Sequence, residues 1–105
     1  MNNKQYKAGK TLKDIKIIIS EHRDILEKKY KVKEIGIFGS YLRGEQKRGS
    51  DVDILVEFDE VPDLFKFINL ENYLQNILKR KVDLVRREAV RKELEEYILN
   101  EVSYL

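Results

Sequence analysis

Apolar residues recur at helical spacing in the first part of the chain. These residues are Ile15, Ile18, Ile19, Ile25 and Leu26. Positions three or four apart lie on one face of a helix, so the pattern predicts a helix over about Leu12–Tyr30. Thr11 precedes it and can cap its first turn, with Asp14 three positions further on as an imperfect capping box.

Two more helices are predicted in the second half of the chain. One covers about Leu64–Leu78, where Pro62 ends the preceding segment and Asp63 offers an N-cap. The other covers about Glu88–Val102, and its predicted buried stripe is Leu94, Ile98 and Val102. Five further residues in and after these helices fit either the core or a surface for a partner protein: Phe65, Tyr73, Tyr97, Tyr104 and Leu105.

Three segments alternate in the way that strands do, at about Val32–Phe38, Val52–Phe58 and Val82–Val85. In the second, Val52, Ile54, Val56 and Phe58 share one face, and Asp51, Asp53, Leu55 and Glu57 share the other. We therefore expect an α/β (α+β) fold with a small mixed sheet. Helices would pack on one face of that sheet and an acidic centre would lie on the other, with a turn or short helix between the first two strands.

Composition narrows this picture. A chain of 105 residues predicts one domain, over residues 12–105, after a polar lead-in at residues 1–11. The net charge of +2 is too small to indicate nucleic-acid binding, and we expect neither direct nucleic-acid contact nor a membrane segment. Cysteine is absent, which fits a cytoplasmic location.

Asp51 and Asp53 stand two positions apart at the start of the second strand. Their side chains would project the same way, with Cα atoms about 6–7 Å apart. Two carboxylates this close repel each other unless a cation lies between them, and Mg²⁺ prefers such oxygen ligands. Asp83 on a neighbouring strand would supply a third carboxylate for a site of two ions. The alternative is that all three are solvated charges at the strand ends.

Gly39 and Ser40 directly follow the first strand. A glycine there permits a sharp turn, and the free N–H groups of a following helical turn would face a phosphate. Arg43, Lys47 and Arg48 would neutralise a triphosphate or departing pyrophosphate, and Arg43 lies nearest. Taken alone, each of these features also fits an ordinary turn with solvated charges.

Together these residues form an ordered pattern: Gly39-Ser40, Arg43-Gly44, Ser50-Asp51-Val52-Asp53 and Asp83 within Lys81–Val85. This pattern resembles the minimal nucleotidyltransferase (MNT) branch of the DNA polymerase beta-like nucleotidyltransferase superfamily, over about residues 12–100. The resemblance implies a palm-like fold in which Gly39, Ser40, Arg43 and Ser50 bind the nucleotide. It also implies that Asp51, Asp53 and Asp83 bind Mg²⁺ and carry catalysis.

The resemblance further implies an antitoxin whose partner is a HEPN-domain ribonuclease toxin, in a hetero-oligomer. The resemblance implies this activity because some members of the branch move AMP from ATP to a tyrosine of the toxin. The chain ends soon after the third strand, so we expect its acidic face to be uncovered and completed by the partner. Two alternatives stay open: an antitoxin that only binds and occludes the toxin, and a transferase for a small molecule or RNA end.

Overall fold

The structure is a computed structural model that describes residues 10–105. The polar lead-in predicted for residues 1–11 therefore lies outside the described residues, apart from Lys10 and Thr11. The helices and strands follow in this order: α1 Leu12–Glu21, α2 Arg23–Lys28, β1 Val32–Phe38, α3 Ser40–Arg43, β2 Val52–Phe58, α4 Leu64–Leu78, β3 Val82–Arg86, α5 Lys92–Glu101 and β4 Ser103–Tyr104.

The predicted first helix is wrong in one respect, because it divides into α1 and α2 at His22. The backbone of His22 leaves the helical region at φ −111° and ψ 16°, and its N–H donates to the carbonyls of Ile19 and Ser20. Its ring Nδ1 lies 2.8 Å from the carbonyl oxygen of Ile18. These contacts satisfy carbonyls at the end of α1 and allow the chain to turn before α2.

The predicted caps at the helix starts are confirmed. Thr11 and Asp14 form a complete capping box, in which each side chain accepts from the other residue's backbone N–H. The Asp63 side chain accepts from the N–H of Lys66 at 2.8 Å and starts α4. Each cap satisfies N–H groups that have no partner within the helix.

The four strands form one mixed sheet in the order β3-β2-β1-β4. Strand β1 is antiparallel to both β2 and β4, and β2 is parallel to β3. Ile37 pairs with Ile54, which in turn pairs with Leu84, so apolar residues line up across three strands. This face meets α1, α2 and α4 in a core that includes Ile15, Ile19, Leu26, Leu70, Leu74 and Leu78. The expected mixed sheet with an apolar, helix-covered face is confirmed.

The end of the chain differs from the prediction. A 3₁₀ turn at Arg87–Ala89 precedes α5, which therefore starts at Lys92 rather than Glu88. The predicted buried stripe is also wrong, because α5 has no buried residue and Leu94 is 47 % exposed. Strand β4, which was not predicted, follows α5 and pairs with β1.

The acidic face is partly covered by the chain itself, contrary to the expectation that it is open. Leu55 lies on this face and is only 1 % exposed. Its strand partner Gly36 lies directly against the C-terminal segment: a Cβ built there would come 2.6 Å from Cγ1 of Val102 and 3.0 Å from the Ser103 carbonyl oxygen. A glycine at position 36 therefore lets this segment cross the sheet closely.

Some of the five residues that fit either the core or a partner surface belong to the core, and others are exposed. Tyr73 stacks near Tyr30 and His22, and it packs against the core together with Leu105. Phe65 and Tyr97 are 78 % and 64 % exposed, and so remain available to a partner. Within residues 10–105, no helix is long and apolar enough to cross a membrane.

We expect Gly36→Ala to destabilise the protein by about 1–3 kcal/mol, because the added methyl group overpacks the contact with Val102. Urea unfolding measures this change. The double variant Gly36→Ala/Val102→Ala should be more stable than the sum of the two single changes predicts. Strict additivity would show that the C-terminal segment does not lie against Gly36.

Candidate active site

The strand register brings the central acidic residues together. Phe38, the last residue of β1, pairs with Asp53, and Asp53 pairs with Asp83 across the parallel β2–β3 ladder. Neighbouring strands lie about 4.8 Å apart, and residues paired in this way project to the same face. The two carboxylates that are 30 positions apart in sequence are therefore neighbours on the acidic face.

Gly39 lies against the carboxylate of Asp53. A Cβ built at Gly39 would come 2.0 Å from Oδ2 of Asp53, which no side chain could tolerate. The backbone at Gly39 has φ 76° and ψ −151°, a region that is essentially restricted to glycine. Only glycine at this position lets the chain turn out of β1 while Asp53 keeps its place.

The short helix α3 follows this turn and is anchored by Tyr41, which is buried in the core. The Arg43 N–H donates to the Gly39 carbonyl oxygen at 3.2 Å, and Gly44 ends the helix in the left-handed region. The Ser40 side chain is half-buried beside the turn. This arrangement holds Gly39, Ser40 and Arg43 together at the end of β1, with Gly39 directly against Asp53.

Glu101 joins this site from the end of α5. The Gly39 N–H donates to Oε1 of Glu101 at 3.2 Å, and Nη1 of Arg43 donates to both Glu101 oxygens at 3.2 and 3.3 Å. Nε of Arg43 donates to Glu45 at 3.0 Å. The sequence analysis missed Glu101, because a glutamate in a charged helix 62 positions from Gly39 carries no local signal.

The charges around Asp53 act on its ionisation. The pKa of Asp53 is raised from its ordinary value of 3.8 to about 6, and burial is the largest cause. The negative charges of Asp83, Asp51 and Glu101 contribute to this rise, while Arg43 opposes it. Negative charge therefore accumulates around this carboxylate with too little positive charge to balance it.

The two remaining predicted site residues lie at the edge of this cluster. Asp51 precedes β2 and is exposed. The Ser50 hydroxyl accepts from the Lys47 N–H at 2.8 Å and closes the turn that leads into β2. The role of Ser50 in binding a nucleotide stays a prediction.

The chemistry of these residues fits a hard divalent cation such as Mg²⁺. They offer carboxylate oxygens as ligands, and burial together with the negative charges of Asp83 and Asp51 raises the pKa of Asp53. As the side chains are placed, no three acidic or histidine residues within residues 10–105 converge closely enough to hold an ion. Asp51 and Asp83 are exposed, so they can rotate towards Asp53 at small cost.

The comparisons with known proteins agree with this geometry. The model of the nucleotidyltransferase domain family matches residues 19–105, which include the whole site. This chain belongs to the nucleotidyltransferase domain family. A protein of Thermococcus cleftensis (strain DSM 27260 / KACC 17922 / CL1) named protein adenylyltransferase MntA is 47 % identical over 95 residues, covering 90 % of this chain and 96 % of the relative.

Solved structures of nucleotidyltransferases show the same architecture. One is a toxin–antitoxin complex with AMP-PNP, whose matching chain is 30 % identical with a TM-score of 0.69, covering 87 % of this chain and 71 % of that one. Another is a tri-AMPylated Shewanella oneidensis HEPN toxin in complex with an MNT antitoxin. Its TM-score is 0.63 at 22 % identity, over 86 % of this chain and 70 % of the matching chain, so it shows the fold alone.

We expect Gly39→Ala to abolish ATP binding and to destabilise the protein by about 1–3 kcal/mol or more, because of the strained backbone and the clash with Asp53. Gly44→Ala is the matched control, since Gly44 also has a positive φ but nothing lies within 4 Å of a Cβ built there. The Gly44→Ala variant should be less stable than the wild type by about 1–2 kcal/mol and should keep ATP binding. Calorimetry measures both the stability and the ATP affinity. Equal ATP affinities in the two variants would contradict the close contact between Gly39 and Asp53.

Asp53 should also make stability depend on pH. The pKa of Asp53 in the folded protein, about 6, exceeds the ordinary value of 3.8. Protonation of Asp53 therefore stabilises the folded protein below pH 4, and this stabilisation is lost as the pH rises through 6. The difference between the two pKa values corresponds to at most about 3 kcal/mol in the free energy of unfolding. Solvent screening of this partly exposed group reduces the effect to about 1–2 kcal/mol.

Denaturant unfolding in EDTA at several pH values, compared between the wild type and Asp53→Asn, measures this loss. Asp53→Asn should be the more stable protein at pH 7, and Mg²⁺ should stabilise the wild type but not Asp53→Asn. Asp59→Asn, an exposed carboxylate just beyond β2, is the control and should follow the wild type. If Asp53→Asn also followed the wild type, Asp53 would not have the raised pKa.

Proposed function

We propose that this protein is the antitoxin of a HEPN/MNT toxin–antitoxin module. It would transfer AMP from ATP to a tyrosine hydroxyl of the HEPN ribonuclease toxin in a Mg²⁺-dependent reaction. The observation that carries this proposal is the pairing of Asp53 with Asp83 beside the Gly39 turn. The named adenylyltransferase relative and the toxin–antitoxin structure with AMP-PNP support both the reaction and the class of partner.

Different residues of the chain would bind the phosphates and the metal ions. The Gly39 N–H, the Ser40 hydroxyl and the Arg43 guanidinium would hold the phosphates, because they form the donor-rich side of the site. Asp51, Asp53 and Asp83 would form the ligand side for two Mg²⁺ ions. Magnesium, when bound, supplies charge neutralisation for the triphosphate and polarises the α-phosphate.

The reaction itself is an in-line displacement. The tyrosine oxygen would attack the α-phosphorus, the bond between the α- and β-phosphates would break, and pyrophosphate would leave. Asp83 is exposed at the open side of the site, where it would accept the hydroxyl proton of the incoming tyrosine. The protein would bring both reactants together, and the partner would complete the wall on the β3 side.

The geometry favours a protein acceptor over the alternatives. The net charge of +2 is too small to indicate RNA binding by itself. Exposed apolar side chains at Phe65 and Tyr97 instead suit contact with another protein. A toxin–antitoxin module acts on cellular RNA, so we also place the protein in the cytoplasm.

We expect Asp53→Asn to reduce AMP transfer to the co-expressed toxin by about 100-fold or more while leaving the fold intact, because it removes a central ligand. Mass spectrometry of the purified partner measures the added AMP, and circular dichroism confirms folding. Asp59→Asn is the matched control and should transfer AMP to the toxin at the wild-type level. Fragment spectra locate the acceptor, and replacing that tyrosine by phenylalanine should abolish the modification.

The same experiment separates catalysis from occlusion. A variant with asparagine at positions 51, 53 and 83 should bind the toxin but fail to neutralise it in cells. Full neutralisation by this variant would show that the protein acts by binding alone. Normal AMP transfer by Asp53→Asn would overturn the proposed mechanism.

A further inference from the structure

A carboxylate of the chain itself already lies on the donor groups of the site. Glu101 accepts from the Gly39 N–H at 3.2 Å and from Arg43 Nη1 at 3.2 and 3.3 Å. Its side chain is only 21 % exposed. These are two of the three groups that the proposed function assigns to the nucleotide's phosphates, and a carboxylate offers them a similar pair of negative oxygens.

We propose that Glu101 is an internal competitor for the nucleotide, which must displace it from Gly39 and Arg43 before the phosphates can bind. This inference rests on the proposed function, since it assigns the regulation of the same site. An anion attached to the chain acts at a high effective concentration, so even a weak contact opposes a free ligand. ATP affinity is therefore set partly by how firmly Glu101 is held.

The surroundings of Glu101 allow it to leave. It is the last residue of α5, and that helix has no buried residue. The segment after it is fixed separately, because the Leu105 N–H donates to the Ile35 carbonyl oxygen at 2.9 Å and β4 pairs with β1. Rotation of the flexible glutamate side chain therefore frees Gly39 and Arg43 without detaching the end of the chain.

Three substitutions separate competition from other roles of Glu101. Glu101→Gln keeps the size of the side chain and removes its charge. Glu101→Asp keeps the charge but is shorter by one methylene group, so it cannot make the same contacts. Glu96→Gln removes one charge from an exposed position of the same helix. Within residues 10–105, the side chain of Glu96 makes no hydrogen bond or ion pair.

Calorimetric titration with the ATP analogue AMPCPP and Mg²⁺, using the full chain, measures the competition. We expect Glu101→Gln to lower the Kd by about three- to tenfold and Glu101→Asp to lower it less, while Glu96→Gln changes it by less than about twofold. The Gly39 amide resonance provides a second readout: it should shift in Glu101→Gln without nucleotide, and in the wild type on addition of AMPCPP.

The outcomes distinguish this inference from the proposed function. If the wild type binds AMPCPP and Glu101→Gln binds equally or more weakly, Glu101 is not a competitor and the inference fails alone. If Glu101→Asp binds as the wild type does, or if Glu96→Gln gains as much as Glu101→Gln, charge rather than occupancy explains the effect and the inference also fails. If neither the wild type nor Glu101→Gln binds AMPCPP, the proposed function fails and the inference with it.

Discussion

The register of β1, β2 and β3 is the constraint on which the candidate site depends. Side chains in a strand alternate between faces, so a slip of one residue would turn Asp53 into the core and Ile54 towards solvent. The buried positions Val52, Ile54 and Val56 prevent such a slip, because they would lose their contacts with the helices. The apolar face of the sheet thus determines the geometry of the acidic face.

The site itself stores unfavourable interactions. Asp53 is half-buried among other carboxylates, which disfavours its charged form. Gly39 occupies a backbone region that glycine adopts freely but that would strain any other residue. The core on the opposite face offsets these costs, since most of its residues are almost completely buried. Gly39 and Asp53 are thereby held in place, whereas the exposed Asp51 and Asp83 would still have to turn towards Asp53 to share an ion.

The C-terminal segment changes how substrates can reach the site. Val102 and Ser103 cross over Gly36, and Glu101 reaches the Gly39 turn, so the chain provides the wall on the β1 side. Asp83 on the other side stays exposed. Access for an acceptor group is therefore asymmetric, and the side near β3 is the open one. The exposed residues Leu94 and Tyr97 lie on α5, the helix that ends with Glu101 beside the Gly39 turn.

Local chemistry explains which elements the sequence predicted well. Strong alternation in β1 and β2, the caps at Thr11 and Asp63, and the apolar periodicity of α4 all act over a few residues, and they are confirmed. The break at His22 was missed because no glycine or proline marks it. Strand β4 has only two residues, and its pairing with β1 depends on the close approach at Gly36.

The sequence by itself determined the family, the small mixed sheet and the predicted site residues, since motif spacing and periodicity are properties of neighbouring positions. Tertiary structure decided which groups meet: Asp53 with Asp83, Gly39 with the Asp53 carboxylate, and Glu101 with Arg43. Contacts between distant positions arise only when strands pair and the chain folds back. No local pattern therefore recorded that Glu101 would accept hydrogen bonds from Gly39 and Arg43.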